Sequence, residues 1–232
     1  MSKNELAAFG SIPVAAALAT KAPVTEKNYA PRLQLVATGN SKVVLEDKAK
    51  AGEFIVVDGE DVDRFGKSAT VVILGKLFKA VDFSGDKAIA NYDPYSEEYA
   101  DIAERQKKGG MASKCMFGPL YLAYHIESEQ FVEIFLNSPS GKREEGKLDA
   151  FVPVGPEQAE ALGVEPRAPR LASLDVRFVE KGQNKWFVFD TKEGPKSLDG
   201  VEPPAPEAVA KACENFYKQA EVETPEEEDR AR

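Results

Sequence analysis

The chain has 232 residues and a net charge of −9 at pH 7, and 43% of its residues are hydrophobic. This length allows one sizeable domain, with or without a subsidiary lobe. The acidic total excludes a uniformly basic nucleic-acid-binding protein, and no apolar run reaches the roughly 20 residues that span a bilayer. The two cysteines, Cys115 and Cys213, follow no metal-ligand spacing, which indicates free thiols in a reducing, cytoplasmic compartment.

Residues 1–30 are interpreted as an N-terminal arm. Pro13 and Pro23 interrupt it, which favours a flexible segment, or a short helix that docks on the body or on a neighbour. Residues 12–19 are apolar and end in an Ala-Leu-Ala sequence that is similar to a signal-peptidase site. Glu5 and Pro13 argue against a signal peptide.

From residue 31 to about residue 200 the pattern is rich in strand signals. Short apolar or alternating runs are bounded by glycines, which is typical of β-strands. The predicted strands include Arg32–Val36, Lys42–Leu45, Phe54–Val57, Ala69–Leu74, Pro119–Ile126, Gln130–Leu136, Leu174–Val179 and Lys185–Phe189. The acidic segment 58–63 is interpreted as a turn, since its spacing does not match an EF-hand calcium loop.

Three helical segments are predicted among these strands. Pro94 and the Gly109-Gly110 pair bound a helix near residues 94–108. A helical turn is predicted at residues 157–162, and a cluster of prolines introduces a C-terminal helix within residues 201–220.

Two further segments have the composition of exposed chain. Residues 137–146 are interpreted as a loop. Residues 221–232 contain six acids and two arginines with almost no apolar surface, which predicts a disordered acidic tail.

These elements together predict a mainly β protein. We expect an antiparallel OB-like barrel, closed or nearly closed, with peripheral helices and insertions. Alternating βαβ units are disfavoured because no helix signal separates the strands before residue 80.

The sequence contains no motif typical of catalysis or metal binding, so neither an enzyme nor a cofactor is predicted. The only histidine, His125, lies in a predicted strand and is interpreted as structural, facing solvent or a neighbouring strand. No glycine pattern for phosphate binding occurs. A carboxylate-only magnesium site is the alternative to a solvated acidic helix face at Asp82, Asp86, Asp93, Glu97, Glu98 and Asp101.

Positive charge is concentrated in two stretches. Residues 64–81 and 105–118 each carry four cations and no acid. Proteins that bind single strands stack bases on aromatic faces and follow the phosphates with cations. The candidate nucleic-acid-binding residues are therefore Arg64, Lys67, Lys76, Phe78, Lys79, Arg105, Lys107, Lys108, Lys114, Lys142, Arg143, Arg177, Lys185 and Trp186. The alternative is that the aromatic residues belong to the core and the lysines keep strand edges soluble.

This layout resembles phage-encoded single-stranded-DNA-binding proteins with an OB-type barrel and an acidic C-terminal tail. The resemblance rests on the segments PRLQLV, GEFIVV and the FGPLYLAYHI to FVEIFL hairpin, with the basic and aromatic residues around them. It implies sequence-nonspecific binding to single-stranded DNA during phage replication or recombination in the cytoplasm of the host. It also implies a tail that competes with DNA or recruits replication or recombination proteins. The chain departs from many such proteins by ending in Arg230-Ala231-Arg232 instead of an aromatic residue.

The alternative function belongs to a different class. A non-enzymatic phage structural or interaction protein, such as an assembly component or an inhibitor of a host DNA enzyme, also fits the alanine-rich arm and the negative net charge. No membrane partner is predicted, and the pattern indicates no particular oligomeric state.

Overall fold

The computed structural model describes residues 22–23, 30–196 and 202–220. Most of the predicted N-terminal arm and all of the predicted acidic tail lie outside these residues. Within them, no helix combines the length and the apolar character needed to cross a bilayer.

In the described part of the chain, ten strands form one sheet. They are β1 (Ala22–Pro23), β2 (Arg32–Leu35), β3 (Phe54–Asp58), β4 (Asp61–Gly66), β5 (Ser68–Asp82), β6 (Ile89–Asn91), β7 (Cys115–His125), β8 (Gln130–Phe135), β9 (Leu171–Lys181) and β10 (Asn184–Glu193). The helices of the described ranges are α1 (Lys42–Leu45), α2 (Glu97–Gly109), a 3₁₀ turn (Gly110–Ser113), α3 (Pro139–Lys142), α4 (Glu145–Asp149), α5 (Pro156–Leu162) and α6 (Pro206–Lys218).

The sheet runs in the order β1-β6-β5-β7-β8-β2-β3-β4, while β9 pairs with β5 and β10 pairs with β9. All neighbours are antiparallel except β2 and β8, which meet in parallel where Arg32 faces Glu133. The sheet curls far enough for the backbone N–H of Phe187 in β10 to donate to the carbonyl of Ala37 at 2.8 Å. The prediction of a mainly β protein is confirmed, but the sheet is not closed into a barrel.

Strand β5 is the centre of the sheet and contributes to two cores. It pairs with β7 along its length, and this pairing shifts register between Ile73 and Gly75. Because strand side chains alternate between faces, the extra residue reverses the alternation. Val71 and Ile73 point into the curled interior, whereas Leu77 lies on the opposite face, which α6 covers.

Two local predictions from the sequence are wrong. Residues 42–45 form the short helix α1 instead of a strand, with Val43 and Val44 packed against the Ile55 cluster, so tertiary packing overrides their β propensity. The expected loop at 137–146 contains α3 and the start of α4. The turn predicted at 58–63 is confirmed at residues 59–60, which connect β3 to β4, a strand that was not predicted. The three helical segments predicted near 94–108, 157–162 and 201–220 are confirmed as α2, α5 and α6.

Candidate nucleic-acid interface

Helix α2 is held against the ends of β5 and β7. The Ser96 side chain caps its first turn by accepting a hydrogen bond from the backbone of Tyr99 at 3.2 Å. Tyr99 and Ile102 pack with Ala80 and Cys115 in a small apolar cluster. This docking places the last turn of α2, which carries Lys107, beside the first residues of β7.

Two lysines from different helices meet over one aromatic ring there. Lys142 Nζ of α3 lies 3.0 Å from the centre of the Phe117 ring, and Lys107 Nζ of α2 lies 5.5 Å from the same centre. Phe117 is half-buried, and Tyr99 supports it from behind with its ring centre 6.3 Å away. We call Lys107, Phe117 and Lys142 the Phe117 patch. It combines two cations with an aromatic face, which are the groups that single-strand binders use.

Among the residues that the structure describes, no acidic side chain lies at hydrogen-bond distance from Lys107 or Lys142. The pKa of Lys142 is lowered to about 8, mainly by burial and also by the charge of Lys107, while Glu145 acts in the opposite direction. Two like charges at one ring repel each other, so a bound anion would relieve that repulsion. Lys114 and Arg143 are exposed, lie within three residues of the patch in sequence and extend its positive character.

A single glutamine ties the elements of the patch together. Gln106 of α2 accepts a hydrogen bond from the backbone N–H of Phe117 at 3.2 Å and donates to the carbonyl of Asn137 at 3.4 Å. Helix α2, strand β7 and the chain entering α3 are therefore linked through one side chain. Ser138 caps α3 by accepting from Gly141 N at 3.0 Å.

Part of the other basic stretch, residues 64–81, lies near the patch, since Phe78 packs against the same apolar cluster as Phe117. Lys76 Nζ lies 2.7 Å from Glu145 Oε1 and 2.8 Å from Asp149 Oδ1, so it anchors α4 to the sheet. Phe78 is half-buried, with Lys76 Nζ 4.6 Å from its ring centre. Lys79 is only 5% exposed and points to the opposite face beneath α6, so phosphate has no access to it.

Several of the remaining candidate cations are engaged with acids. Arg64 binds Glu53 through two hydrogen bonds of 2.7 and 2.9 Å. The other pairs are Arg105 with Asp82 and Asp101, Lys108 with Glu104, Arg177 with Asp190, and Lys185 with Glu180. Lys67 is exposed in the turn before β5. Trp186 is half-buried on the β9–β10 hairpin opposite Val179.

His125 is fully buried, so of the two expected orientations the one towards solvent is wrong; its ring instead packs against Phe65 of β4, with 4.6 Å between the ring centres. Its Nδ1 lies 2.8 Å from Ser128 Oγ and its Nε2 lies 3.0 Å from Glu127 Oε2, within the turn between β7 and β8. Glu127 also accepts two hydrogen bonds from the backbone N–H of Thr70. These contacts attach the turn to β5.

Of the six acids considered as a magnesium site, Asp82, Glu97, Glu98 and Asp101 line a surface hollow that also contains Arg105, whereas Asp86 and Asp93 do not. Arg105 donates to Asp82, which holds the pKa of that carboxyl at about 2. Among the residues described, no three acid, histidine or cysteine side chains converge in a way that could hold a metal ion.

Phe117 is the functional candidate that the sequence reasoning missed. It is the second-last residue of the acid-free stretch 105–118 and follows Lys114 by three residues. This closeness to the cations in sequence could have identified Phe117 as a candidate. Its partner Lys142 is 25 residues further along the chain, so only the fold brings the two together. Searches against protein-family models, characterised proteins and solved structures find no match for this chain.

Proposed function

We propose that the protein binds single-stranded DNA without sequence specificity, through the Phe117 patch. The resemblance to phage single-stranded-DNA-binding proteins would place this activity in replication or recombination, and the curled sheet would be a variant of the OB-type barrel. The proposal requires no catalytic step and no cofactor. It assigns the phosphate contacts to Lys107, Lys142, Lys114 and Arg143, and base stacking to the exposed part of Phe117.

The observation that carries this proposal is the convergence of Lys107 and Lys142 on one half-buried ring. The ammonium groups of two neighbouring surface lysines usually move apart into solvent or form ion pairs with acidic side chains. Here the folded backbone holds both cations at the same site, in a protein whose net charge is −9. Such a local basic site concentrates phosphate by electrostatic attraction although the whole molecule is anionic.

Charge reversal at both lysines tests the proposal. The double substitution Lys107→Glu/Lys142→Glu is expected to lower affinity for a fluorescent single-stranded oligonucleotide at least about tenfold at low salt. It should also flatten the dependence of log affinity on log salt by about 1.4, since each single-strand phosphate contact contributes about 0.7. Fluorescence anisotropy across a salt series measures both quantities.

The matched control is Lys42→Glu/Lys211→Glu. It changes the net charge by the same amount, but its two exposed lysines lie on α1 and α6. The control should retain nearly the affinity of the original protein. Equal losses in the two double variants would show that net charge, and not the Phe117 patch, governs binding, and the proposal would fail.

A further inference from the structure

A groove opens directly beside the Phe117 patch. It lies at the mouth of the curled sheet, between the ends of β2 and β8, the chain entering α3, and strand β10, and has a volume of about 330 Å³. Its wall on the patch side is formed by Met116, Asn137 and Gly141, the direct chain neighbours of Phe117, Ser138 and Lys142. This volume is at the small end of the range of protein ligand sites.

The lining of the groove combines apolar surface with a few polar groups. Phe187 and Phe189 of β10 and Met116 of β7 supply flat or polarisable apolar surface. The exposed Gln34 of β2 and the half-buried Asn137 carry amides at the same groove. Amide groups both donate and accept hydrogen bonds, which matches the mixed donors and acceptors on the edges of nucleobases.

The ring of Phe187 is held rigidly at this position. Gly52 packs against it so closely that an added Cβ would lie 2.9 Å from the ring, and the Phe178 ring centre lies 5.2 Å from that of Phe187. The backbone N–H of Phe187 also donates to Ala37. A ring fixed in this way loses little conformational entropy when a ligand stacks on it.

We infer that this groove receives a nucleobase of a strand whose phosphates bind the Phe117 patch. The inference rests on the proposed function and adds a second site for a base of the bound strand, besides the exposed part of Phe117. The argument for this occupant is the placement of the charges: Lys107 and Lys142 lie outside the groove at one rim, whereas its lining is mostly apolar with amides and the exposed cation Arg32. A paired base in a duplex could not enter, because its edge is occupied and its faces are stacked.

Two oligonucleotides of equal length and charge test the inference on the unmodified protein. One is a thymidine oligomer, and the other carries the same phosphodiester backbone with abasic tetrahydrofuran residues. We expect the base-bearing strand to bind roughly tenfold more tightly, given the usual contribution of base stacking. Equal, measurable binding of both strands would contradict the binding of a base in the groove, but it would agree with phosphate binding at the Phe117 patch. Binding of neither strand would overturn the proposed function and this inference with it.

Photocrosslinking locates the base independently. A strand containing 5-iododeoxyuridine is irradiated in complex with the protein, and the linked peptide is identified by mass spectrometry. Crosslinks to Met116 or Phe187 support the groove. Crosslinks confined to Phe178 or Trp186, which do not line the groove, would place the bases outside it and contradict the inference, even if base-bearing strands bind better.

A matched pair of aromatic substitutions completes the test. Phe187→Leu should abolish most of the preference for the base-bearing strand while leaving the affinity for the abasic strand unchanged. Phe178→Leu removes the neighbouring ring, which is 50% exposed and does not line the groove, and should preserve the preference. If Phe187→Leu fails to fold, the strand comparison and the crosslinks on the original protein still decide the matter.

Discussion

Lys142 is the residue whose ionisation most directly affects the proposed binding site. Its pKa is lowered to about 8, first by burial and then by the charge of Lys107. The free protein therefore begins to lose this charge near pH 8, well below the usual range for lysine. A bound phosphate favours the charged form, so binding and protonation at Lys142 are linked.

This linkage predicts a pH-dependent affinity. Between pH 7 and pH 9, affinity for single-stranded DNA should fall as Lys142 loses its proton, because the protonated form is the one that binds phosphate. Anisotropy titrations at constant ionic strength measure the change. In Lys142→Arg the cation stays charged across this range, so the dependence should largely disappear. A profile that is the same in both proteins would show that another group is responsible.

Lys79 was predicted from the sequence to contact DNA, but the fold buries it. It is 5% exposed and interacts electrostatically with Glu133, which is 2% exposed. Burial lowers the pKa of Lys79 to about 8 and raises the pKa of Glu133. Gln219, just beyond α6, donates to Glu133 Oε1 at 3.0 Å, so the buried charges also hold the end of that helix.

Removing one of these buried charges should be costly. Lys79→Met leaves Glu133 buried without its cation and is expected to reduce the free energy of unfolding by about 3–5 kcal/mol. The double variant Lys79→Met/Glu133→Gln keeps an acceptor for Gln219 without either charge and should recover most of the loss. Urea denaturation followed by circular dichroism measures both. A double variant as unstable as the sum of the two single variants would refute the coupling.

Among the elements, the start of β7 does most to position the Phe117 patch. Gly118 follows Phe117 with φ of 155°, and a Cβ added there would overlap the carbonyl oxygen of Leu136 and lie 3.1 Å from Lys142 Cε. The close approach is possible only because glycine has no side chain. It allows the chain entering α3, and with it Lys142, to pass directly beside β7.

Gly118→Ala should therefore separate β7 from the chain before α3. We expect a loss of at least about 2 kcal/mol in the free energy of unfolding, since the obstacle is backbone rather than a movable side chain. Gly146→Ala is the control, because no heavy atom lies within 4 Å of its added Cβ in α4. That variant should be neutral or more stable by up to about 1 kcal/mol. Thermal and urea unfolding measure the stability of both variants. Equal stability of Gly118→Ala and Gly146→Ala would contradict this account of Gly118.

For the molecule as a whole, the acidic C-terminal segment is expected to affect DNA binding. Residues 221–232 contain six acids and two arginines, so deleting them changes the net charge from −9 to −5. A tethered polyanion competes with DNA for a basic site at high effective concentration. Deletion should tighten single-strand binding at low salt, and the difference should shrink as salt screens charges beyond about 8 Å. Anisotropy with the truncated chain measures this effect; unchanged affinity at low salt would show that the tail does not compete.

The sequence by itself determined the elements that depend on local signals. Helices α2, α5 and α6 and the β7–β8 hairpin were predictable because their signals lie within a few residues. A proline precedes α2 and glycines lie at its end, and β7 and β8 contain alternating runs. The same local reasoning identified Lys107 and Lys142 as candidates, but it grouped them with Lys76 and Lys79.

Only the tertiary structure decided which of these cations share a surface. The register shift at Gly75 reverses the alternation of β5 and sends Lys76 towards α4 and Lys79 beneath α6, where nearby acids compensate their charges. The contact of Lys142 with Phe117 spans 25 residues and depends on the close approach at Gly118. Local propensity carries no information about such a contact, because its energy arises only when distant strands and helices have already packed together.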